Sequence, residues 1–526
     1  MNLVLAIGFL LSSSTFRSRS SLAMSNRLLE EWWSHDSIDF HRVSDPDEIR
    51  RRLLSWYREH RRKLPWRGDA PPWNGSTSHF AESTSSKKKP QTSLKDFFVV
   101  HDGNESAGEA FPVTAYGIWV SEIMLQQTRV EAVIPYWVKW MKRFPTVHDL
   151  AAASDEDVNA HWAGLGFYRR ARLLHQAAKY VVDKLGGELP TTVEGLLELP
   201  GIGRYTASAI ASIAYGVPVP VVDGNVCRVL SRLSGIANHV KAPVLKDKYG
   251  WDLAARIVTE DAGEVNQALM ELGATYCAPS GTGVDPGDPL EGFYLSTDLG
   301  SEIYRAREKG TLSGLLERSS GTGCPICSDE GVGQALNDIL SSLDDGIAPE
   351  HCGHRALPLE PPKLAKRDEV LAVAALSFNE SWLMVKRPPE GLLAGQWEFP
   401  NVCVWKSEKQ NKGGEVPNIV PKERREALNE YLLELGDLDT KRKEVGDVPV
   451  EHIFSHVRHI MWIEHSSLSD VDLDREWTTA DGRPARWMTE ADMRLVGITS
   501  GVKKVLKAVE RARSTKASNK KARLTK

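Results

Sequence analysis

The sequence predicts a mainly α N-terminal domain followed by a smaller α+β domain. Three observations carry that prediction. Apolar residues recur at helical spacing from Ile49 to about Ala274, with turns marked by Gly and Pro. Beyond the Pro-rich stretch "PLEPPKLAKR" the period changes to two, in "EVLAVAALSF" and "SWLMVKRP", with Asn379 and Glu380 as the turn between them. A chain of 526 residues, 41 % hydrophobic and 26 % charged, is ordinary globular material but too long for one core.

Residues 1–28 read as a targeting leader. Leu3 to Leu11 is a short apolar run, a Ser- and Arg-rich stretch follows, and no acid precedes Glu30. An unstructured start with initiation at Met24 would explain the same composition. The apolar run is too short to span a bilayer and no other segment reads as transmembrane, so no membrane partner is expected.

The helical domain is expected over 45–357, with irregular inserts near 68–112, 278–323 and 328–351, whose compositions bury little. A stiff linker at 358–367 leads to the α+β domain at 368–508, with a helix at "PKERREALNEYLLELG". The basic stretch 509–526 is expected to fray into a tail. A net charge of −4 gives no global basic signature, so any nucleic-acid footprint must be local. Six cysteines are too few for a disulfide scaffold in a chain this long, and their spacing matters more than their number.

The most informative stretch is "TTVEGLLELPGIGRYTASAIASIAYG": helix, tight hairpin, helix. Gly201 and Gly203 permit the turn, and the backbone N–H groups there and in the next helical turn then face one anion. No Gly-Lys-Ser/Thr follows and no strand precedes, which excludes a nucleotide P-loop and a dinucleotide fingerprint. A plain helix corner would explain "PGIG" alone. Asp223 in "VPVPVVDGNVCRVL" follows an apolar run and precedes a new helix, where an N-cap role would explain it locally.

A phosphate-gripping hairpin followed about twenty residues later by a carboxylate resembles the helix-hairpin-helix DNA glycosylases. Five stretches narrow the resemblance: "LPWR", "YGIWVSEIMLQQTRV", "GLGFYRRAR", "LPGIGRYTA" and "VVDGNV" look like the adenine DNA glycosylases, the MutY family, over about residues 49–277. The resemblance implies removal of adenine mispaired with 8-oxoguanine or guanine in double-stranded DNA, within base excision repair. Cleaving an N-glycosidic bond calls for a protonated leaving base and a stabilised oxocarbenium ion. The match makes Glu122 the acid, with its pKa raised by burial, and Asp223 the ionised carboxylate beside the sugar cation. In the endonuclease III relatives a lysine nucleophile stands where this chain has Tyr205, which forms no Schiff base, so a monofunctional glycosylase is implied. Gln127 and Tyr168 match wedges that enter the duplex, and Trp66, Arg67 and Gln267 match the wall of the adenine pocket. Helix surface and core packing are the structural alternatives for these.

The resemblance also implies a [4Fe–4S] cluster on four cysteines. Cys277, Cys324, Cys327 and Cys352 have the right order and a central C-x-x-C, but long inserts break the compact spacing. Zinc, helped by His351 and His354, and no metal at all are the alternatives. Cys227 and Cys403 read as packed thiols.

In the second domain, "LLAGQWEFPNV" and "HIFSHVRHIMW" resemble the C-terminal, Nudix-like domain of the same family. "GGEVPNIVPKERREALNEYLLELG" lacks the carboxylates that hold magnesium in a Nudix hydrolase, so no pyrophosphatase is expected. Phe454, Ser455 and His456 match the loop that checks for 8-oxoguanine, with Ser455 as the main reader; strand-end packing is the alternative. Within the insert, Gln91, Leu94, Phe97 and Phe98 fit Q-x-x-L-x-x-F-F, the peptide that plugs into the sliding clamp PCNA, behind the steering charge of Lys87 to Lys89. Anchoring of the insert onto its own domain would use the same phenylalanines. A monomer is expected, in the nucleus and also in a mitochondrion or plastid. Two other functions stay open: an endonuclease III-like glycosylase/lyase, against which Tyr205 and "MLQQT" argue, and a non-catalytic DNA-binding scaffold, against which the presence of both Glu122 and Asp223 argues.

Overall fold

A computed structural model describes residues 25–73, 110–279, 283–316, 323–362, 366–388, 390–407, 416–435, 441–454, 456–469, 471 and 477–524. The chain divides into two units, residues 1–61 with 208–361 and residues 62–207 with 362–526. This departs from the single helical domain expected over 45–357. Its central part, 62–207, belongs with the sheet domain: the Asp155–Trp162 helix touches the Glu490–Leu495 helix, and Gly497 lies against the Tyr168 ring.

The first unit is helical. Its Pro46–His60 helix shows how the sequence dictates the element: Asp45 caps it by accepting from the Glu48 N–H, Pro46 begins it, and Ile49, Leu53, Trp56 and Tyr57 form one buried stripe. Each such side chain, fully buried, contributes about 1.5–3 kcal/mol. The core continues through the Gly224–Ser234 and Ala262–Ala274 helices.

Two expectations change here. The leader boundary at residue 28 falls inside a helix, Ser25–Ser34, whose Leu28, Leu29, Trp32 and Trp33 pack into this core. Trp32 is 0 % exposed and its Nε1 donates to the Gly235 carbonyl. The inserts expected to be irregular are partly helical, at Leu295–Glu308, Asp329–Asp344 and Pro349–Ala356. The Asp329–Asp344 helix buries Val332, Ala335, Leu336 and Ile339, an amphipathic spacing that its acid-rich flanks obscure.

In the second unit, the Ala115–Leu125 helix is buried all round from Tyr116 to Met124. It is therefore an interior helix rather than a surface one. Its N-terminus is capped by the Thr114 hydroxyl, which accepts from the Gly117 N–H at 3.0 Å. The sheet has nine strands among the described residues: β1 Arg367–Phe378, β2 Ser381–Lys386, β3 Trp397–Glu398, β4 Asn401–Lys406, β5 Lys443–Glu444, β6 Val450–Ile453, β7 Val457–Ser467, β8 Trp477–Thr478 and β9 Pro484–Thr489. The order is β5-β7-β1-β2-β9-β8, with β3 on β2, β4 on β1 and β6 on β7. β1 and β7 run parallel, from Arg367 opposite Val457 to Ser377 opposite Ser467.

Alternate residues of β1 enter two cores. Leu371, Val373 and Ala375 meet Val502, Val505 and Val509 of the Ser500–Leu524 helix, and Ala372, Ala374 and Leu376 meet Leu428 and Leu432 of the Pro421–Glu434 helix. A strand covered on both faces reads as a near-continuous apolar run, which is what "EVLAVAALSF" is. The expected basic tail continues the Ser500–Leu524 helix through Leu524, with Val509 buried. Cys227 is buried as expected, whereas Cys403 is exposed on β4, a short strand only partly covered.

Candidate active site and metal centre

Glu122 sits on the interior helix, 7 % exposed. Tyr205, in the first turn of the Arg204–Tyr215 helix, donates its hydroxyl to Glu122 Oε2 at 2.9 Å. The hairpin before that helix is built as the sequence predicts. Gly201 takes φ +80°, and a Cβ there would lie 2.7 Å from the Leu173 Cβ, so only glycine fits. Leu199 and Ile202 are buried beneath it, while Gly201, Gly203 and Arg204 are exposed.

The C-terminal end of the Glu122 helix is held by Arg170, one of three arginines in "GLGFYRRAR" that nothing in the sequence distinguishes. Buried Arg170 donates from Nη1 to the carbonyls of Ile123, Met124 and Gln126, at 2.9, 2.8 and 2.6 Å. Its Nη2 reaches the Gly166 carbonyl at 3.0 Å and the Thr128 hydroxyl at 3.2 Å. A cation among carbonyls left open at a helix end suits both the hydrogen bonding and the helix dipole. Burial lowers its pKa to about 10, which leaves it charged at neutral pH.

The loops tied by Arg170 carry the predicted wedges. Gln127 is exposed in the turn after the helix, at φ +57°. Tyr168 is half-buried, its hydroxyl accepts from the Gly164 N–H at 3.3 Å, and burial pushes its phenol up to about 12. Its neighbour Phe167 is 53 % exposed and is held at φ +50°. A bulky residue in the left-handed region is strained, and such strain concentrates at functional positions. The exposed aromatic is thus Phe167, whereas Tyr168 is half-buried. The pair "FY" in "GLGFYRRAR" signalled an aromatic there without saying which ring faces outward.

Within the same unit these residues line a cleft of about 2000 Å³ together with the sheet domain. Arg169, Arg172, Lys386, Arg387, Arg483 and Arg486, set against Asp155, Glu156, Glu390 and Asp481, leave its walls net basic, a local footprint that the overall charge hides. Phe454 and His456 also line it, at the turn joining β6 to β7, where the Phe454 N–H donates to the Val457 carbonyl at 2.8 Å. The Phe454 ring is packed edge-on between His452 and His459, and His456 is exposed. Ser455 and the clamp motif Gln91, Leu94, Phe97 and Phe98 lie outside the described residues. Trp66 is buried edge-on against Trp137, and the Arg67 Nη1 donates to the Arg62 carbonyl.

In the first unit, Asp223 is the N-cap of the Gly224–Ser234 helix. Its Oδ1 accepts from the Val226 N–H at 2.8 Å and its Oδ2 from the Asn225 amide at 2.8 Å. Burial pushes its pKa up, and these hydrogen bonds pull it back toward the ionised form. The cap holds the carboxylate in place without preventing a second role. Gln267, half-buried, donates to the Gly263 carbonyl one turn earlier in its helix.

The four cysteines expected to share an iron–sulfur cluster are not gathered into one group. Cys324 and Cys327 meet His35 and His41, and their four ligand atoms lie within 4.8 Å of one another. Cys277 is elsewhere, with its Sγ 3.1 Å from the Tyr294 hydroxyl and 3.8 Å from His354 Nε2. Tyr294 in turn donates to Asp288 at 2.8 Å. Burial raises the Cys277 thiol to about 11 and the Asp288 carboxyl to about 6, and holds His354 neutral with its pKa at about 2. Cys352 points its thiol at the carbonyls of Ile347 and Ala348. His351 accepts from the Val284 N–H and His354 stands by Cys277, so neither joins Cys352 in a zinc site. The inserts that separate the cysteines fold into helices, which set them in different surroundings. These residues do not fit a [4Fe–4S] cluster, and among the described residues the group able to hold a metal is the two histidines with the C-x-x-C pair.

A glycine-hinged hairpin, a buried carboxylic acid and a basic cleft shared with a Nudix-like sheet define a DNA glycosylase of the helix-hairpin-helix class. The HhH-GPD superfamily of base excision DNA repair proteins matches residues 120–248, and the NUDIX domain matches residues 372–508. The chain belongs to the adenine DNA glycosylase family. It is 33 % identical over 506 residues to the adenine DNA glycosylase of Mus musculus, covering 95 % of this chain and 86 % of that one. It is also 33 % identical over 482 residues to that of Homo sapiens, covering 90 % and 76 %. With that of Schizosaccharomyces pombe it shares 30 % over 500 residues, covering 91 % and 93 %.

Proposed function

We propose that this enzyme removes adenine mispaired with 8-oxoguanine or guanine in duplex DNA, and that it is monofunctional. The observation that carries the reading is the Tyr205–Glu122 hydrogen bond. The position that would hold an amine nucleophile in a lyase instead holds a phenol that orients the acid.

In the proposed reaction, Glu122 gives a proton to the adenine ring as the N-glycosidic bond breaks and its electron pair leaves with the base. Asp223, ionised, stabilises the cationic sugar. Water adds to the anomeric carbon and loses a proton, leaving free adenine and an abasic site with the DNA backbone intact. Gln127 and Phe167 enter the stack beside the extruded nucleotide and offset its few kcal/mol of unstacking. The hairpin at Gly201 and Gly203 grips a backbone phosphate. The turn carrying Phe454, Ser455 and His456 reads 8-oxoguanine, and the segment 91–98 docks on a sliding clamp in the nucleus.

Single-turnover base release from a duplex carrying adenine opposite 8-oxoguanine, quenched with and without alkali, tests this. Strand breaks only after alkali support a monofunctional glycosylase. Breaks without alkali overturn that reading in favour of a lyase, and equal rates opposite 8-oxoguanine and thymine overturn the proposed partner base.

A further inference from the structure

We infer that Asn266 is a positioning residue for the reaction: its side-chain amide fixes the stretch that carries Asp223 against the helix that carries Gln267. The inference rests on the part proposed above for Asp223 beside the sugar cation. Asn266 lies in the Ala262–Ala274 helix and is 0 % exposed, as are its neighbours Val265, Ala268, Leu269 and Leu272. An amide in such apolar surroundings is costly unless its polar atoms are bonded.

They are bonded, and to the segment that leads to Asp223. Asn266 Oδ1 accepts from the Val221 N–H at 2.9 Å, and its Nδ2 donates to the Val219 carbonyl at 2.9 Å and to the Ser212 hydroxyl at 3.0 Å. The sequence shows why a side chain is needed there. Residues 217–223 form neither helix nor strand, and Pro218 and Pro220 have no N–H, so "VPVPVVD" does not pair as an interior strand. Asn266 bonds the carbonyl before Pro220 and the N–H after it, as one residue of a neighbouring parallel strand would. A carbonyl only accepts and an N–H only donates. The exchange therefore takes an amide, because a carboxylate donates nothing and a leucine does neither.

Two glycines press the same helix against its neighbours. A Cβ on Gly263 would lie 2.7 Å from the Ser212 carbonyl oxygen, and one on Gly273 would lie 2.6 Å from the Asn225 Cβ. Asn225 in turn donates to Asp223 Oδ2. One helix thus gauges Asp223 from both sides, through Val221 two residues before it and through Asn225 two residues after it. Gln267, next to Asn266, bonds the Gly263 carbonyl of that helix. Asn266 therefore sets the spacing between the carboxylate and the pocket wall. A carboxylate stabilises a sugar cation best when it is already in place, and a misplacement of about 1 Å can cost about 10²-fold in rate.

The test compares Asn266→Leu, which keeps the volume and removes all three bonds, with Asn266→Asp and Ser212→Ala in the full chain. The probes are two uncleavable duplexes, one with a cationic pyrrolidine and one with a neutral tetrahydrofuran in place of the reacting sugar. The preference for the cationic duplex reads the alignment of Asp223 and needs no base release. Asn266→Leu should reduce that preference, and slow single-turnover adenine release, by about tenfold or more, with affinity for the neutral duplex changed less than about threefold. Asn266→Asp should match it near pH 8 and move back toward the parent near pH 5.5, where a protonated carboxyl again donates to the Val219 carbonyl. Leu336→Ala, a cavity in the same core, should lower the melting temperature without moving the preference. If Asn266→Leu fails to fold, Ser212→Ala decides, with a smaller loss of preference expected from its single bond. An Asn266→Leu chain that keeps the parent's preference overturns the inference. So does an equal loss in Leu336→Ala, which would make the effect one of stability. A parent that prefers the cationic duplex but releases no adenine overturns the proposed base and leaves the role of Asn266 supported, whereas a parent without that preference overturns both.

Discussion

The Tyr205 hydroxyl donates to Glu122 Oε2 across 2.9 Å, linking the helix after the hairpin to the interior helix that carries the acid. A hydrogen bond to a charged group is worth about 1.5–3 kcal/mol. Tyr205→Phe should therefore slow single-turnover adenine release by about 10- to 100-fold with little change in melting temperature. Glu122→Gln, which cannot give up a proton, should cost roughly 10²- to 10⁴-fold. A Tyr205→Phe variant as inactive as Glu122→Gln would show that the phenol does more than orient.

Arg170 supports the same acid from the other end of its helix. Arg170→Ala leaves the carbonyls of Ile123, Met124 and Gln126 buried with a lost partner, at about 1–3 kcal/mol each before relaxation. The melting temperature should fall by several degrees, and adenine release should slow because Glu122, Gln127 and Phe167 lose their fixed spacing. Arg170→Lys keeps the charge without the planar fork and should recover only part of both losses. Thermal unfolding and single-turnover kinetics measure them side by side.

Phe167 and Tyr168 should separate cleanly. Phe167→Ala removes an exposed ring, so stability should change by less than about 0.5 kcal/mol while release from duplex DNA slows by about tenfold or more. Tyr168→Phe removes the bond from the Gly164 N–H and should cost about 1 kcal/mol of stability with a small kinetic effect. The reverse pattern would return the wedge to Tyr168.

Asp288 makes stability depend on pH in a definite sense. Its folded pKa, raised by burial to about 6 from the ordinary 3.8, means that the folded state binds the proton more tightly than the unfolded chain. Its contribution is fully present below pH about 4 and is lost as pH rises to about 6. Asp288→Asn removes that dependence. The melting temperature of the variant relative to the parent should therefore be higher at pH 7 than at pH 4.5.

The sequence displayed most of what forms these sites and hid what assembles them. The hairpin was legible because Gly201 and Gly203 are demanded locally, and β1 because a doubly buried strand has to be apolar throughout. The Asp329–Asp344 helix was missed because the acids and glycines around it outweighed the spacing of Val332, Ala335, Leu336 and Ile339. Arg170 was hidden for a different reason: an arginine on a helix looks solvated until the carbonyls it serves come from other segments. The metal group failed on the same account. Counting cysteines leads to four thiolates, while His35 and His41 stand before the helical periodicity begins, in a stretch that gives no hint of a partner near residue 324. Which groups meet across such separations is a property of packing, and one sequence does not record it.

Trp32 and the other aromatic and aliphatic side chains of the Ser25–Ser34 helix set a limit on how this polypeptide can mature. If an organelle peptidase trims the N-terminus, its cut must fall upstream of Leu28, because a cut further in would pull an indole out of the interior and strand the Gly235 carbonyl. Any shortened N-terminus is then compatible with this fold only if it begins upstream of that helix.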